Sequence, residues 1–155
     1  MRETKVIIVA FLKQKVVSFE FLKWPNHITI VPYFRTRNPD KLICEIKKVC
    51  SNVPEIHYRI GATNYFGEGR MLKVSRIKNS SSLVKLHTSI LKIALVHDKN
   101  VDTGFCYPNY NPHITHNNKP YPREGDVGVI KKVYIIKYLS LETKAKQILA
   151  IGALK

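Results

Sequence analysis

Two short segments of the chain nearly repeat each other and contain the residues best suited to chemistry. Residues 25–29 read PNHIT and residues 111–115 read NPHIT. Histidine titrates near neutral pH, so His27 and His113 could divide the work of removing a proton from an attacking oxygen and protonating a departing one. The hydroxyls of Thr29 and Thr115 could donate hydrogen bonds to the non-bridging oxygens of a phosphate. These residue types predict phosphodiester cleavage that needs no metal and no cofactor.

The two triplets must lie on strands for their histidine and threonine side chains to act together. Residues i and i+2 of a strand share one face, so His27 and Thr29 would project together while Ile28 points to the other side. The second triplet repeats this pattern. One wet face and one packed face are therefore predicted for both segments.

Other histidines fit structural roles better. His87-Thr88-Ser89 is a third formal match, but it falls within a predicted helix, where positions i and i+2 do not share a face. His87 also belongs to the apolar stripe of that helix, so we interpret it as a core histidine. His116 should face away from His113 on a strand, which argues against a metal pair.

The segments between the triplets alternate between strand and helix patterns. Helices are predicted from Asn38, as an N-cap, to the break at 52–54, and from about Leu83 to Val96. Strands are predicted at residues 6–12, 16–22, 26–34, 55–61, 70–77, 110–116, 127–141 and 145–154. Pro32 should weaken the third strand or place it at a sheet edge. The order predicts an α+β fold with mostly antiparallel pairing, in one domain over residues 1–155.

The charge balance favours a phosphate-rich partner. The 26 Lys and Arg residues exceed the 11 Asp and Glu residues, which gives a formal net charge of +15. Such a field attracts nucleic acid, although a basic surface also serves solubility. The three cysteines form no C-x-x-C pair, and the apolar run at 6–12 is too short to span a bilayer. We therefore expect reduced thiols, a cytoplasmic location and no membrane association.

The motifs resemble those of the 2H phosphoesterase superfamily, and within it the 2′-5′ RNA ligases, also called RNA 2′,3′-cyclic phosphodiesterases. Two His-x-Thr-x motifs define that family, matched here by HITI at 27–30 and HITH at 113–116. A Phe-Gly turn at 66–67 followed by a strand, then a helix, precedes the second motif as in the family. The resemblance implies a bilobal fold, with two pseudo-symmetric halves of antiparallel sheet, helices on the outside and a central groove.

The resemblance also implies roles for the motif residues. His27 would be the proton donor, His113 the proton acceptor, and Thr29 and Thr115 would hold the phosphate. The substrate would be RNA, or an oligonucleotide, with a terminal 2′,3′-cyclic phosphate, and ligation to a 5′-hydroxyl would be the same step with another nucleophile. A monomer is expected. The chain departs from the family in lacking a glycine after the first motif, and in placing His116 where an apolar residue is usual.

The sequence offers further candidate residues, and two other functions stay open. Tyr33 shares the face of His27 and is a candidate substrate-binding residue; other aromatic candidates for base stacking are Phe66, Tyr107 and Tyr110. Basic side chains that could contact phosphate, with solvated surface charge as the default, are Arg59, Arg70, Lys73, Lys131 and Lys132. The same chemistry could act on small cyclic or 2′-5′-linked oligonucleotides. Alternatively, the chain could be a basic RNA-binding module without catalysis.

Overall fold

A computed structural model describes residues 2–78 and 80–155. Over these residues the chain forms two α-helices, α1 (Pro39–Cys50) and α2 (Ser81–His97), and nine strands. The strands are β1 (Thr4–Phe11), β2 (Glu20–Phe21), β3 (His27–Thr36), β4 (Ile56–Phe66), β5 (Leu72–Lys78), β6 (His113–Thr115), β7 (Val127–Ile130), β8 (Lys132–Tyr138) and β9 (Lys146–Ala153). No helix in the described part of the chain is both long and apolar enough to cross a membrane.

All strands join one curled antiparallel sheet in the order β2-β9-β8-β1-β3-β6-β5-β4-β7. Its middle junction, between β3 and β6, separates two halves with matching order. On one side follow β1, β8 and β9, and on the other follow β5, β4 and β7. The predicted α+β fold with two pseudo-symmetric antiparallel halves is confirmed, and each half contributes one of the two motif strands to the junction.

Both helices cover the same face of the sheet. The side chain of Asn38 accepts a hydrogen bond from the amide of Lys41 at 3.1 Å, so the predicted N-cap of α1 is confirmed. α1 buries Leu42 and Ile46, and α2 buries a longer apolar stripe. The helices lie on the face opposite the motif histidines, because the buried isoleucines of both motifs belong to the same core cluster as the helix residues.

The opposite face has a smaller apolar cluster of its own. Its buried members are Ile7, Val9, Tyr134, Ile136 and Ile148, with aromatic residues packed around them. This cluster lies in the half built from β1, β8 and β9. It packs the sheet face beside the first motif, while the second half leaves more of the same face open to solvent.

Three predicted elements are corrected by the structure. The single strand predicted at 127–141 is divided into β7 and β8, which lie in different halves of the sheet. The strand predicted at 16–22 is reduced to Glu20–Phe21, because the regular ladder with β9 covers only these two residues and the preceding segment turns at Ser18, whose φ is 73°. β3 is not an edge strand despite Pro32. The proline lies in a β-bulge between Val31 and Phe34, where the ladder with β1 is interrupted and no amide hydrogen is required.

Candidate active site

The two motif strands are direct neighbours. Ile28 of β3 pairs with Ile114 of β6 in antiparallel register. This register places His27 opposite Thr115 and Thr29 opposite His113, all on the face away from the helices. Residues directly opposite have Cβ atoms about 5 Å apart, and the diagonal neighbours His27 and His113 are separated by roughly 7–8 Å. The two imidazoles and the two hydroxyls thus project from the same face of the sheet, and we call the space between them the gap.

Each motif histidine is held by the same backbone contact. The Nδ1 atom of His27 lies 2.8 Å from the carbonyl oxygen of Pro25, and the Nδ1 atom of His113 lies 2.8 Å from that of Asn111. A carbonyl oxygen only accepts, so Nδ1 must carry the hydrogen in both rings. The Nε2 atom of each neutral ring is then the one that accepts a proton, and the two histidines offer equivalent atoms to a ligand.

An aromatic ring flanks each histidine. The Trp24 ring lies 4.3 Å from the His27 ring, centroid to centroid, and the Phe66 ring lies 4.8 Å from the His113 ring in a T-shaped arrangement. Phe66 was one of the aromatic candidates in the sequence, whereas Trp24 was missed. These contacts fix the two imidazole planes and line both ends of the gap with apolar surface.

Burial and positive charge make His27 difficult to protonate in the free protein. Its pKa is lowered to about 4, chiefly because burial removes water from the ring, and further because His113 and Lys146 lie nearby. The hydrogen bond to Pro25 opposes this shift. His27 is therefore neutral at pH 7 in the free protein.

Lys146, which no sequence pattern singled out, is 3% exposed beside the first motif. Its Nζ donates to the carbonyl oxygens of Leu22 at 3.0 Å and Lys144 at 2.8 Å. The rings of Phe21, Trp24 and Tyr138 lie 5.2–5.5 Å from this Nζ. This cation packs against the same tryptophan that flanks His27.

Asn26 ties the start of the first motif to the loop that follows the second. Its side-chain amide donates to the carbonyl oxygen of Asn118 at 2.8 Å, and its side-chain oxygen accepts from the amides of Asn117 and Asn118. The side chain of Asn118 in turn donates to the carbonyl oxygen of Trp24 at 2.7 Å. These bonds hold the two halves in register next to His27.

The first motif strand is also supported from the helix side. His87 is fully buried, donates from Nδ1 to the carbonyl oxygen of Ile30 and accepts at Nε2 from the amide of Tyr107. Its interpretation as a core histidine is confirmed. Tyr110 stacks on His87 at 3.9 Å and donates to the carbonyl oxygen of Thr29 at 2.7 Å. Tyr110 is thus a structural support and not a base-stacking platform.

Tyr33 and His116 lie away from the gap. Tyr33 occupies the His27 face further along β3, where its hydroxyl bonds that of Tyr138 and Lys5 lies over its ring; substrate contact by Tyr33 stays a prediction. The Nε2 atom of His116 bonds Ser75 on the helix side of the sheet at 2.7 Å. Within the described residues, no three His, Cys, Asp or Glu side chains cluster as metal ligands would.

Comparison with known protein families decides the assignment. A family model described as the 2′-5′ RNA ligase superfamily matches residues 12–126, a stretch that contains both motifs. The chain belongs to the 2′-5′ RNA ligase superfamily. The resemblance to the 2H phosphoesterases is confirmed, and membership of this group of phosphoesterases and ligases supports phosphodiesterase chemistry in general. A search of curated proteins gives no match.

Solved structures of other proteins share the fold of this member of the 2′-5′ RNA ligase superfamily. TT0787 of Thermus thermophilus superimposes with a TM-score of 0.66 at 13% identity, with 97% of each chain covered. E. coli LigT complexed with 3′-AMP gives 0.65 at 9% identity, with 99% of each chain covered. E. coli LigT complexed with phosphate gives 0.65 at 8% identity, covering 100% of this chain and 99% of LigT.

Proposed function

We propose that the protein is an RNA 2′,3′-cyclic phosphodiesterase that acts through His27 and His113. The observation that supports this proposal is the antiparallel pairing of the two motif strands at Ile28 and Ile114, together with the backbone contact of Nδ1 in each histidine, which leaves Nε2 of both rings for a ligand. Membership of the superfamily supports the class of reaction, and the LigT structures complexed with 3′-AMP and with phosphate support a nucleotide or phosphate ligand.

The proposed step is an in-line hydrolysis. His113 removes a proton from water through Nε2, and the resulting oxygen attacks phosphorus. The bond from phosphorus to the 3′ oxygen breaks, and His27 gives its Nε2 proton to that oxygen, which leaves a 3′-hydroxyl and a 2′-phosphate. If a 5′-hydroxyl of RNA replaces water, the same transfers form a 2′-5′ linkage, so ligation uses the same residues.

Thr29 and Thr115 are proposed to hold the non-bridging phosphate oxygens. Each hydroxyl lies across the strand junction from the opposite histidine, so each histidine and its cross-strand threonine can reach the same phosphate. A hydrogen bond to a charged oxygen contributes roughly 1.5–3 kcal/mol. Replacing either threonine by valine should therefore lower kcat by about tenfold to a hundredfold and leave the fold intact.

Tyr33 is proposed as a substrate contact at the edge of the groove. Its hydroxyl accepts a hydrogen bond from that of Tyr138, and we propose that its contact with a nucleotide comes from the ring. Tyr33→Phe should then keep kcat/KM within about threefold of the wild type, while Tyr33→Ala should raise KM. If Tyr33→Ala has the same kcat and KM as Tyr33→Phe, the ring of Tyr33 does not contact the substrate.

We further propose a monomeric enzyme of the cytoplasm that needs no cofactor. Cys44, Cys50 and Cys106 are free thiols, which suits a reducing compartment. The mass of the purified protein in solution tests the monomer directly.

The decisive experiment is turnover of a 2′,3′-cyclic nucleotide and of RNA with a cyclic-phosphate end, in the presence of EDTA. His27→Ala and His113→Ala should each lower kcat/KM at least about a hundredfold. His57→Ala is the matched control, because His57 is an exposed histidine on β4 and should keep activity. Full turnover by both motif variants would refute the proposal. Tight, salt-sensitive RNA binding without turnover would favour a binding module, and turnover of small oligonucleotides alone would favour that narrower substrate.

A further inference from the structure

Three basic side chains extend from the second motif across the open half of the sheet. Arg76 of β5 is the direct cross-strand partner of His113, and Lys78, two residues further along β5, pairs with Arg59 of β4. Cross-strand partners and positions i and i+2 share a face, so all three side chains lie on the face of His113. All three are exposed. We call Arg76, Lys78 and Arg59 the cation ladder.

The ladder is attached to the catalytic motif at its inner end. Nη2 of Arg76 lies 3.4 Å from the side-chain oxygen of Asn111, and the backbone carbonyl oxygen of Asn111 fixes the ring of His113. Arg76 and His113 are thus held by the same residue. An anion bound at the inner end of the ladder would be a close neighbour of a phosphate in the catalytic gap.

At the outer end, Lys78 and Arg59 place two like charges opposite each other. No ion pair is formed by Lys78 or Arg59 in the described part of the chain, and a cross-strand pair of like charges is repulsive. The stem of Lys78 lies over Gly61, where an added Cβ would meet its Cγ at 3.0 Å. Glycine at this position lets the lysine lie flat on β4, and a bound anion would relieve the repulsion.

We propose that the cation ladder binds the phosphates of a single-stranded RNA chain whose cyclic-phosphate end lies between His27 and His113. Along β5 successive same-face residues are about 7 Å apart, a spacing suited to successive backbone phosphates of an extended strand. Phe66 beside His113 provides a flat apolar surface for a base, and a positive track with aromatic rings is how single strands are bound. This inference rests on the proposed function and deepens it, since it makes the substrate a polynucleotide.

The test compares two double variants that remove equal charge. Arg59→Gln/Lys78→Gln removes the outer ladder, and Lys47→Gln/Lys48→Gln removes two exposed charges from α1 on the other face of the sheet. The probe is a fluorescein-labelled uridine decamer with 2′-O-methyl riboses and a 3′-phosphate, which cannot be turned over. Its Kd is measured by anisotropy at salt concentrations from about 50 to about 200 mM KCl.

The ladder variant should raise the Kd at least about tenfold at about 100 mM salt. The slope of the logarithm of the association constant against the logarithm of the salt concentration should become less steep by about 1.4. This is the value for two lost phosphate contacts on a single strand. The control variant should stay within about twofold of the wild type. The melting temperature of the ladder variant should stay equal or rise, because a repulsive pair is removed. In turnover assays, the ladder variant should lose kcat/KM on a cyclic-phosphate decamer and on 2′,3′-cyclic UMP to different extents. The loss should be at least about tenfold larger for the decamer.

Equal losses in the two double variants would overturn the inference, because net charge alone would then explain binding. An unchanged Kd in the ladder variant would overturn it as well. The binding assay needs no catalysis, so absence of turnover on every substrate would refute the proposed function while the binding result still decides the ladder.

Discussion

The low pKa of His27 sets a sharp condition on the proton-donor role proposed for it. In the free protein that pKa is about 4, so a proton must be acquired when substrate binds at neutral pH. Raising the pKa from about 4 to about 7 requires roughly 4 kcal/mol of coupling between the bound anion and the imidazolium. One negative charge about 4 Å from the ring supplies about 4 kcal/mol at an effective dielectric constant near 20. A single phosphate in the gap is therefore sufficient.

The assay uses a thymidine dinucleotide, whose phosphodiester bears one charge, does not titrate between pH 4 and 8, and lacks the 2′-hydroxyl needed for cleavage. Calorimetry at pH 5.5 in two buffers of different ionisation enthalpy should detect uptake of about one proton per ligand. His27→Gln should abolish that uptake. Titration of the His27 ring by NMR should show its pKa rising from about 4 in the free protein to about 7 in the complex.

Two results would refute this reasoning. Titration of His27 at an ordinary histidine pKa in the free protein would mean that burial and the neighbouring cations do not act on it as described. Binding without proton uptake, with His27 still neutral in the complex, would make His27 the proton acceptor and exchange the roles of the two histidines.

Three further outcomes are expected. The pKa of His27 is lower in the folded state than in the unfolded state, so neutral His27 stabilises the fold fully above about pH 6.5. This contribution to the free energy of unfolding falls by about 3 kcal/mol as the pH drops to about 4. Denaturant titrations of the wild type and of His27→Gln across this pH range should reveal the difference. His87→Leu leaves the carbonyl of Ile30 and the amide of Tyr107 unpaired, and should lower the free energy of unfolding by about 2–4 kcal/mol in urea titrations. Asn26→Ala should cost about 2 kcal/mol and lower kcat more than it changes KM, because the two halves lose register beside the motif.

Local patterns were enough to predict the two-faced character of both motif strands. Ile28 and Ile114 are fully buried while the flanking histidines and threonines are only partly buried, as period-two alternation requires. Both helices were also predictable, since Asn38 followed by Pro39 is a strong start signal and α2 has a long apolar stripe. These features depend on residues that are close in sequence.

Features that depend on distant partners were not predictable. Val16 and Val17 have high strand propensity, yet β9 offers no partner to them and they are 71% and 52% exposed. Pro32 predicts a weakened strand or an edge strand, but a bulge opposite β1 accommodates it inside the sheet. Strand propensity describes a residue that fits a sheet, and only the neighbouring strand decides whether a sheet is there.

The same limit explains the site residues that sequence reasoning missed. Arg76 is an ordinary basic residue until the register of β5 against β6 places it opposite His113. Trp24 and Asn26 flank the first motif, but their contacts with His27 and with the loop after the second motif exist only when the two halves meet. Periodicity gives the face of a residue, whereas register gives its neighbours.

The strand order also bears on how the protein is made. The half that contains the second motif is built from one continuous stretch, β4 to β7, and all its strands emerge from the ribosome in succession. The half that contains the first motif combines β1 and β3 with β8 and β9, which are synthesised last. The half that carries His27 therefore stays incomplete until β9 has been synthesised. A translation product that stops before β8 would contain both motifs but would lack the strands that complete the sheet beside the first one.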